Sequence, residues 1–105
     1  MTALSEERLA DSEIQAVSKI FKTISDPTRL SILFLLKKEP LNVNAIAESI
    51  QMEQSAVSHQ LKVLKEARLV KSERSGKSVI YQLDDLHVFS ILEQVLTHTR
   101  EECTH

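Results

Sequence analysis

Apolar positions along this chain change period several times, and each change marks an element. Ile14, Val17, Phe21 and Ile24 recur at helical spacing and predict a helix over Asp11–Ile24. Ser25-Asp26-Pro27 interrupts it, with Asp26 suited to cap and Pro27 to open a second helix through TRLSILFLLKK. That helix is dense in Leu and Ile and is expected to be the most buried; Pro40 closes it. Asn42 or Asn44 can cap a short third helix, VNAIAESI. After Gln51-Met52-Glu53 a fourth, QSAVSHQLKVLKEA, turns Val57, Leu61 and Leu64 to one side and leaves Ser55, Ser58, His59 and Lys62 on others.

The period then shortens. Val70, Val79, Ile80 and Tyr81 favour strands, and Gly76 of SGK is the only glycine in the chain. A hairpin of Leu69–Arg74 and Ser78–Leu83 follows, with the glycine at a turn that needs positive φ. A last helix starts near Asp84 or Asp85 and runs to about Glu101. The expected fold is mainly α with a small β-hairpin, a winged helix-turn-helix of order ααααββα, as one domain over residues 1–105.

Charge sharpens this picture. The net charge is −2, yet Gln54–Leu83 holds Lys62, Lys65, Arg68, Lys71, Arg74 and Lys77 against Glu66 and Glu73. Six cations less two anions give that segment +4, which leaves −6 for the rest. A basic segment on an acidic body is the electrostatic footprint of a nucleic-acid binder, and equally that of a solvated helix and hairpin. In a winged helix-turn-helix the second helix of the pair enters the major groove of double-stranded operator DNA. Gln54, Ser55, Ser58 and His59 then face base edges, Lys62 and Lys65 face phosphates, and Arg74 and Lys77 reach a neighbouring groove from the hairpin tip.

With 105 residues the chain is near the lower limit for a self-sufficient core, so burial shared with a second copy is expected. No apolar run is long enough for a bilayer, and the polar N-terminus does not read as a signal peptide. One cysteine, Cys103, excludes an intramolecular disulfide and points to the cytoplasm. There is no Ser-His-Asp or Cys-His arrangement and no glycine-rich phosphate loop, so neither an enzyme nor a small-molecule substrate is expected.

The last helix carries metal-ligand types at both ends: Asp85 and His87 at one, His98 and Glu101 at the other. Eleven residues of helix rise roughly 16 Å and turn about 20° beyond three whole turns. His87 and His98 therefore share a face but not an ion. Val88, Ile91 and Val95 form a stripe beside the histidines that suits a partner helix, and Phe89, Leu92 and Leu96 lie further round, where they suit the chain's own core. Two copies packed antiparallel about a two-fold axis bring Asp85 and His87 of one to His98 and Glu101 of the other, closing two equivalent sites. Two imidazoles and two carboxylates suit Zn(II), with Co(II) an easy substitute. Asp85 must then precede the regular helix, because residues two apart do not share a face. Ile14, Val17, Phe21, Val88, Ile91, Leu92 and Val95 are expected at the seam of this homodimer. Cys103 and His105 are expected in the tail, where they could add ligands for Ni(II).

The stretch from Phe21 onward resembles the ArsR/SmtB family of bacterial metal-responsive repressors. DPTRLSIL, QSAVSHQLKVLKEARLV and the wing ending in VIYQL carry the resemblance. The pattern D-x-H-x10-H-x2-E is similar to the C-terminal helix site of the family's zinc-sensing branch. The family's other site uses Cys pairs, where this chain has Asn42 and Asn44. Arg68 stands where the family often has glycine, which implies strain or another cap. The resemblance implies that metal releases DNA and derepresses efflux or sequestration genes. It also implies that a ligand imidazole, His98, bonds to backbone near the end of the reading helix. The rival readings are a winged-helix regulator without metal and a zinc store.

Overall fold

The computed structural model describes residues 8–103. Helix α1 spans Asp11–Ile24, and the Glu13 carboxylate accepts the Ala10 N–H at its start. Helix α2, Pro27–Lys38, opens as expected: Asp26 Oδ2 accepts the Arg29 N–H at 3.0 Å, and Pro27 occupies the first turn, where a missing N–H costs nothing. Helix α3, Val43–Ile50, is capped by Asn42, whose Oδ1 accepts the Ala45 N–H at 2.8 Å; Asn44 takes no part in that cap. Helix α4 is Gln54–Glu66, strands β2 and β3 are Val70–Ser75 and Ser78–Leu83, and helix α5 is His87–Cys103.

One further strand, β1 at Leu41–Asn42, extends the expected hairpin. It pairs antiparallel with β3 (Leu41 opposite Tyr81, Asn42 opposite Ile80), so the sheet runs β1-β3-β2. Two residues carry no readable period; their extended state comes from the edge that β3 offers. Within the hairpin Ser75 faces Ser78, and Gly76 has φ +62°. A positive φ at the first central position and not at Lys77 is the pattern of a type II′ turn, which matches the twist of the strands.

Both helices that bracket the helix-turn-helix end on a non-glycine residue in the left-handed region. Gln51 follows α3 at φ +57° and Arg68 follows α4 at φ +61°. At each, two backbone bonds close the helix. Met52 N–H donates to Ala47 O at 3.0 Å and Gln51 N–H to Glu48 O at 3.4 Å; Leu69 N–H donates to Leu64 O at 2.9 Å and Arg68 N–H to Lys65 O at 3.0 Å. This is the Schellman arrangement, usually built on glycine. Of the two alternatives weighed for Arg68, strain holds and a cap of another type does not: the cap is the one glycine usually builds, and the Cβ costs about 1–2 kcal/mol.

The core lies between α2, α3, α4, the sheet and the first half of α5. Ile32, Ile46, Val57, Leu61 and Leu64 are fully buried, with Leu33, Leu36, Leu69 and Val70 around them. Helix α2 is the most buried, as expected: beside Ile32, Leu33 and Leu36 its Leu30, Phe34 and Leu35 are partly buried against the core, whereas α4 contributes Val57, Leu61 and Leu64. Phe89 of α5 meets Phe34 of α2 edge to face at 4.9 Å, and Lys37 Nζ sits 5.7 Å above the Phe89 ring. Leu92 is 8% exposed and belongs to this core, which corrects its expected place at the dimer seam. The physical reason is rotational: Leu92 follows Phe89 by three residues, so it falls on the face that packs on α2. Helix α1 enters the core near its C-terminal end, through Thr23 and Ile24, with Ile20 partly buried against it.

Candidate nucleic-acid interface and metal centre

Helix α4 divides cleanly by face. Val57, Leu61 and Leu64 anchor it inward, and Gln54, Ser55, Ser58, His59, Lys62 and Lys65 are all exposed. Glu53 precedes the helix without a side-chain cap, so the N-terminal N–H groups of α4 are left to solvent or to an anion. Arg74 and Lys77 flank Gly76 at the hairpin tip, and both are exposed. Lys65, expected to face phosphate, donates from Nζ to Ser72 Oγ of β2 at 2.7 Å. That exposed bond ties the end of α4 to the wing and can be exchanged for a phosphate oxygen at little cost.

Sequence reasoning missed three residues here. Ser72 is one; the others are Arg29 and Gln60, joined by a 2.7 Å bond from Nε to Oε1 across α2 and α4. Gln60 stands at a position where the helical period calls for an apolar residue, and that mismatch was the available signal.

At the start of α5 the chain makes a local turn. Asp85 Oδ1 accepts the His87 N–H at 2.9 Å, so Asp85 and not Asp84 shapes the entry; Asp84 instead donates its N–H to Leu69 O at 3.1 Å. Asp85 lies ahead of the regular helix, which starts at His87, three residues later than its earliest expected point. The same Asp85 Oδ1 is 3.6 Å from His87 Nδ1, and the two side chains are 53% and 96% exposed. That turn places carboxylate and imidazole side by side in water. Three helical turns on, His98 and Glu101 line one open groove with Ser90, Glu93, Gln94 and Thr97. Among the described residues no three His, Cys, Asp or Glu side chains of one chain converge. The structure thus brings the four ligand types together as two separated pairs. The Cys103 side chain and His105 lie outside the described residues.

Between the two pairs runs an apolar surface. Val17 and Phe21 of α1 and Ile91 and Val95 of α5 are 43–54% exposed and line adjoining grooves, with Val88 partly buried beside them; Ile14 continues the strip on α1. Among the described residues no helix is long and apolar enough to cross a membrane.

Comparison with known proteins places this geometry. The model of the bacterial regulatory protein, arsR family, matches residues 26–72, which span α2 to the start of the hairpin. The HTH-type transcriptional regulator NmtR of Mycobacterium tuberculosis is 44% identical over 90 residues, covering 85% of this chain and 75% of the relative. A cadmium resistance transcriptional regulatory protein, a CadC homolog of Staphylococcus aureus, is 37% identical over 98 residues, covering 92% and 81%. Among solved structures, the homodimeric winged helix-turn-helix DNA-binding domain Mb0332 of Mycobacterium bovis superposes with a TM-score of 0.83 at 26% identity, covering 94% of each chain. With so much of its length shared with curated regulators, this chain belongs to the arsR family of bacterial regulatory proteins, and it is a winged helix-turn-helix transcriptional regulator rather than an enzyme.

Proposed function

We propose that this protein is a metal-responsive transcriptional repressor, a homodimer that holds operator DNA when free of metal and leaves it when Zn(II) or Co(II) binds. One observation carries the reading. The Asp85–His87 pair and the His98–Glu101 region lie at opposite ends of α5, and an unpartnered apolar strip of α1 and α5 lies between them. A second copy laid antiparallel across that strip covers Ile14, Val17, Phe21, Val88, Ile91 and Val95 and completes both ligand sets. The homodimeric neighbour from Mycobacterium bovis supports the pairing.

The donor chemistry fits a borderline divalent ion. Two imidazoles and two carboxylates offer nitrogen and oxygen, and two carboxylates balance a charge of two. The cadmium-resistance relative invites a softer metal, but this chain has a single cysteine, and Asn42 is already engaged as a helix cap. Bound metal supplies a cross-link between the terminal helices. Its charge alone would strengthen the grip on DNA, so release has to come through shape. In this reading Asp85 and His87 of one copy and His98 and Glu101 of the other draw the α5 pair into one arrangement, and the two α4 helices then fit successive major grooves poorly. His98 is also the imidazole assigned to bond backbone near the end of α4, which gives the site a route to the reading helix. A coupling of about 1–3 kcal/mol suffices to empty an operator. The genes released would serve metal export or sequestration.

Equilibrium dialysis at neutral pH should find one Zn(II) per chain. Replacing His98 by Gln should leave metal-free DNA affinity within about twofold and abolish the zinc effect in fluorescence anisotropy at fixed salt. A His98→Gln protein that still leaves DNA when zinc is added sinks this mechanism. Failure of the wild type to bind zinc leaves a winged-helix regulator without metal control.

A further inference from the structure

The inward positions of α4 recur as Val57, Leu61 and Leu64, and Gln60 falls on the same face, three residues after Val57 and four before Leu64. A half-buried carboxamide thus occupies a place in the apolar pattern. Its Oε1 accepts the 2.7 Å bond from Arg29 Nε. The same guanidinium donates from Nη1 to the Thr23 carbonyl at 3.2 Å. That carbonyl is one of the four at the C-terminal end of α1 that have no intrahelical partner. Arg29 also places its own N–H on the Asp26 cap at 3.0 Å. One side chain is therefore held by α1, α2 and α4 together.

Apolar contacts are non-directional and let a helix roll at small cost. A planar guanidinium fork does not, because its bonds have fixed directions. Rolling a helix of about 5–6 Å radius by about 20° moves its outer atoms by about 2 Å. That displacement is enough to break hydrogen bonds to base edges.

We propose that Arg29 is a positioning residue for DNA reading: held by the Thr23 carbonyl and the Gln60 carboxamide, it sets the roll of α4 and so determines which base edges Gln54, Ser55, Ser58 and His59 meet. The proposal rests on the reading of α4 as the helix that enters the major groove, and it does not involve metal.

The test uses the full-length protein without metal and a labelled duplex selected by the wild type from a random pool. Affinities for that duplex and for a scrambled one are read by anisotropy at several salt concentrations, with thermal melts alongside. Gln60→Leu removes the acceptor and changes no charge. Its affinity for the selected duplex should fall roughly tenfold, the size of one lost base contact. Its affinity for the scrambled duplex and its salt slope should stay within about twofold, because every phosphate-facing cation remains. Gln60→Glu keeps the acceptor and should retain the wild-type ratio between the two duplexes. Arg29→Lys keeps the charge, loses the fork and should lower that ratio as Gln60→Leu does; it decides the matter if Gln60→Leu melts below the assay temperature. Wild-type discrimination in folded Gln60→Leu or Arg29→Lys overturns the proposal. So does an equal loss on both duplexes, or a ratio lost in Gln60→Glu. If the wild type enriches no sequence, the reading of α4 fails first and takes this inference with it; a failed zinc response leaves the ratio untouched.

Discussion

Arg68 shows what a single residue can cost. Its φ of +61° completes the cap of α4 through the Leu69 and Arg68 N–H groups, yet its Cβ stands in a region that glycine enters without penalty. Arg68→Gly trades relief of that strain against a more flexible unfolded chain. The net should be a gain of about 0.5–1 kcal/mol, read as a higher urea midpoint at unchanged slope. Gly76, at φ +62°, is the same argument answered with the right residue: nothing lies within 4 Å of where a Cβ would stand, so its role is backbone freedom and not space. Asp85 is a third local device. Its carboxylate shapes the entry to α5 through the His87 N–H, and the same turn sets it beside the imidazole, so a helix start and a candidate ligand pair are one structure.

At the scale of the element, α4 faces two ways. Its buried side holds Val57, Leu61 and Leu64 in the core, and its open side presents short polar residues at the N-terminal end with Lys62 and Lys65 further on. That order suits base contact first and phosphate contact behind. Lys62→Ala should weaken binding to operator and unrelated DNA alike and reduce the slope of log affinity against log salt by about one, checked by salt titrations on both duplexes. Helix α1 has the opposite character. It gives the core little before Thr23, and its apolar residues at Ile14, Val17 and Phe21 are half exposed. A helix with that face cannot owe its stability to this chain's core alone.

For the whole molecule, the exposed apolar strip and the proposed ligand set make the same demand: in that reading each is complete only in a pair. Val95→Glu places a carboxylate on that strip at a side chain that is 54% exposed and outside the buried core. It should shift the protein to monomer in sedimentation equilibrium and weaken zinc by more than tenfold in a competition titration, while thermal unfolding of the monomer stays cooperative. The two losses should appear together, because in this reading neither half-site holds an ion alone.

Much of this was legible in the linear chain because it depends on short-range rules. The helical periods of α1 to α5, the Asp26-Pro27 restart and the glycine in the hairpin turn all follow from local sterics and hydrogen bonding, as does an Asn cap on α3, which local rules leave open between Asn42 and Asn44. The basic segment and the spacing of the candidate ligand pairs about α5 were equally visible, since charge and helical rise add residue by residue. What could not be read depended on partners distant in the chain. Strand β1 exists because β3 presents an edge; Gln60 is tolerated on an apolar face because Arg29, 31 residues away, meets it. A two-residue strand and a half-buried carboxamide have no local preference strong enough to announce them. Their free energy is settled only when the chain has folded back on itself and the other half of each contact has arrived.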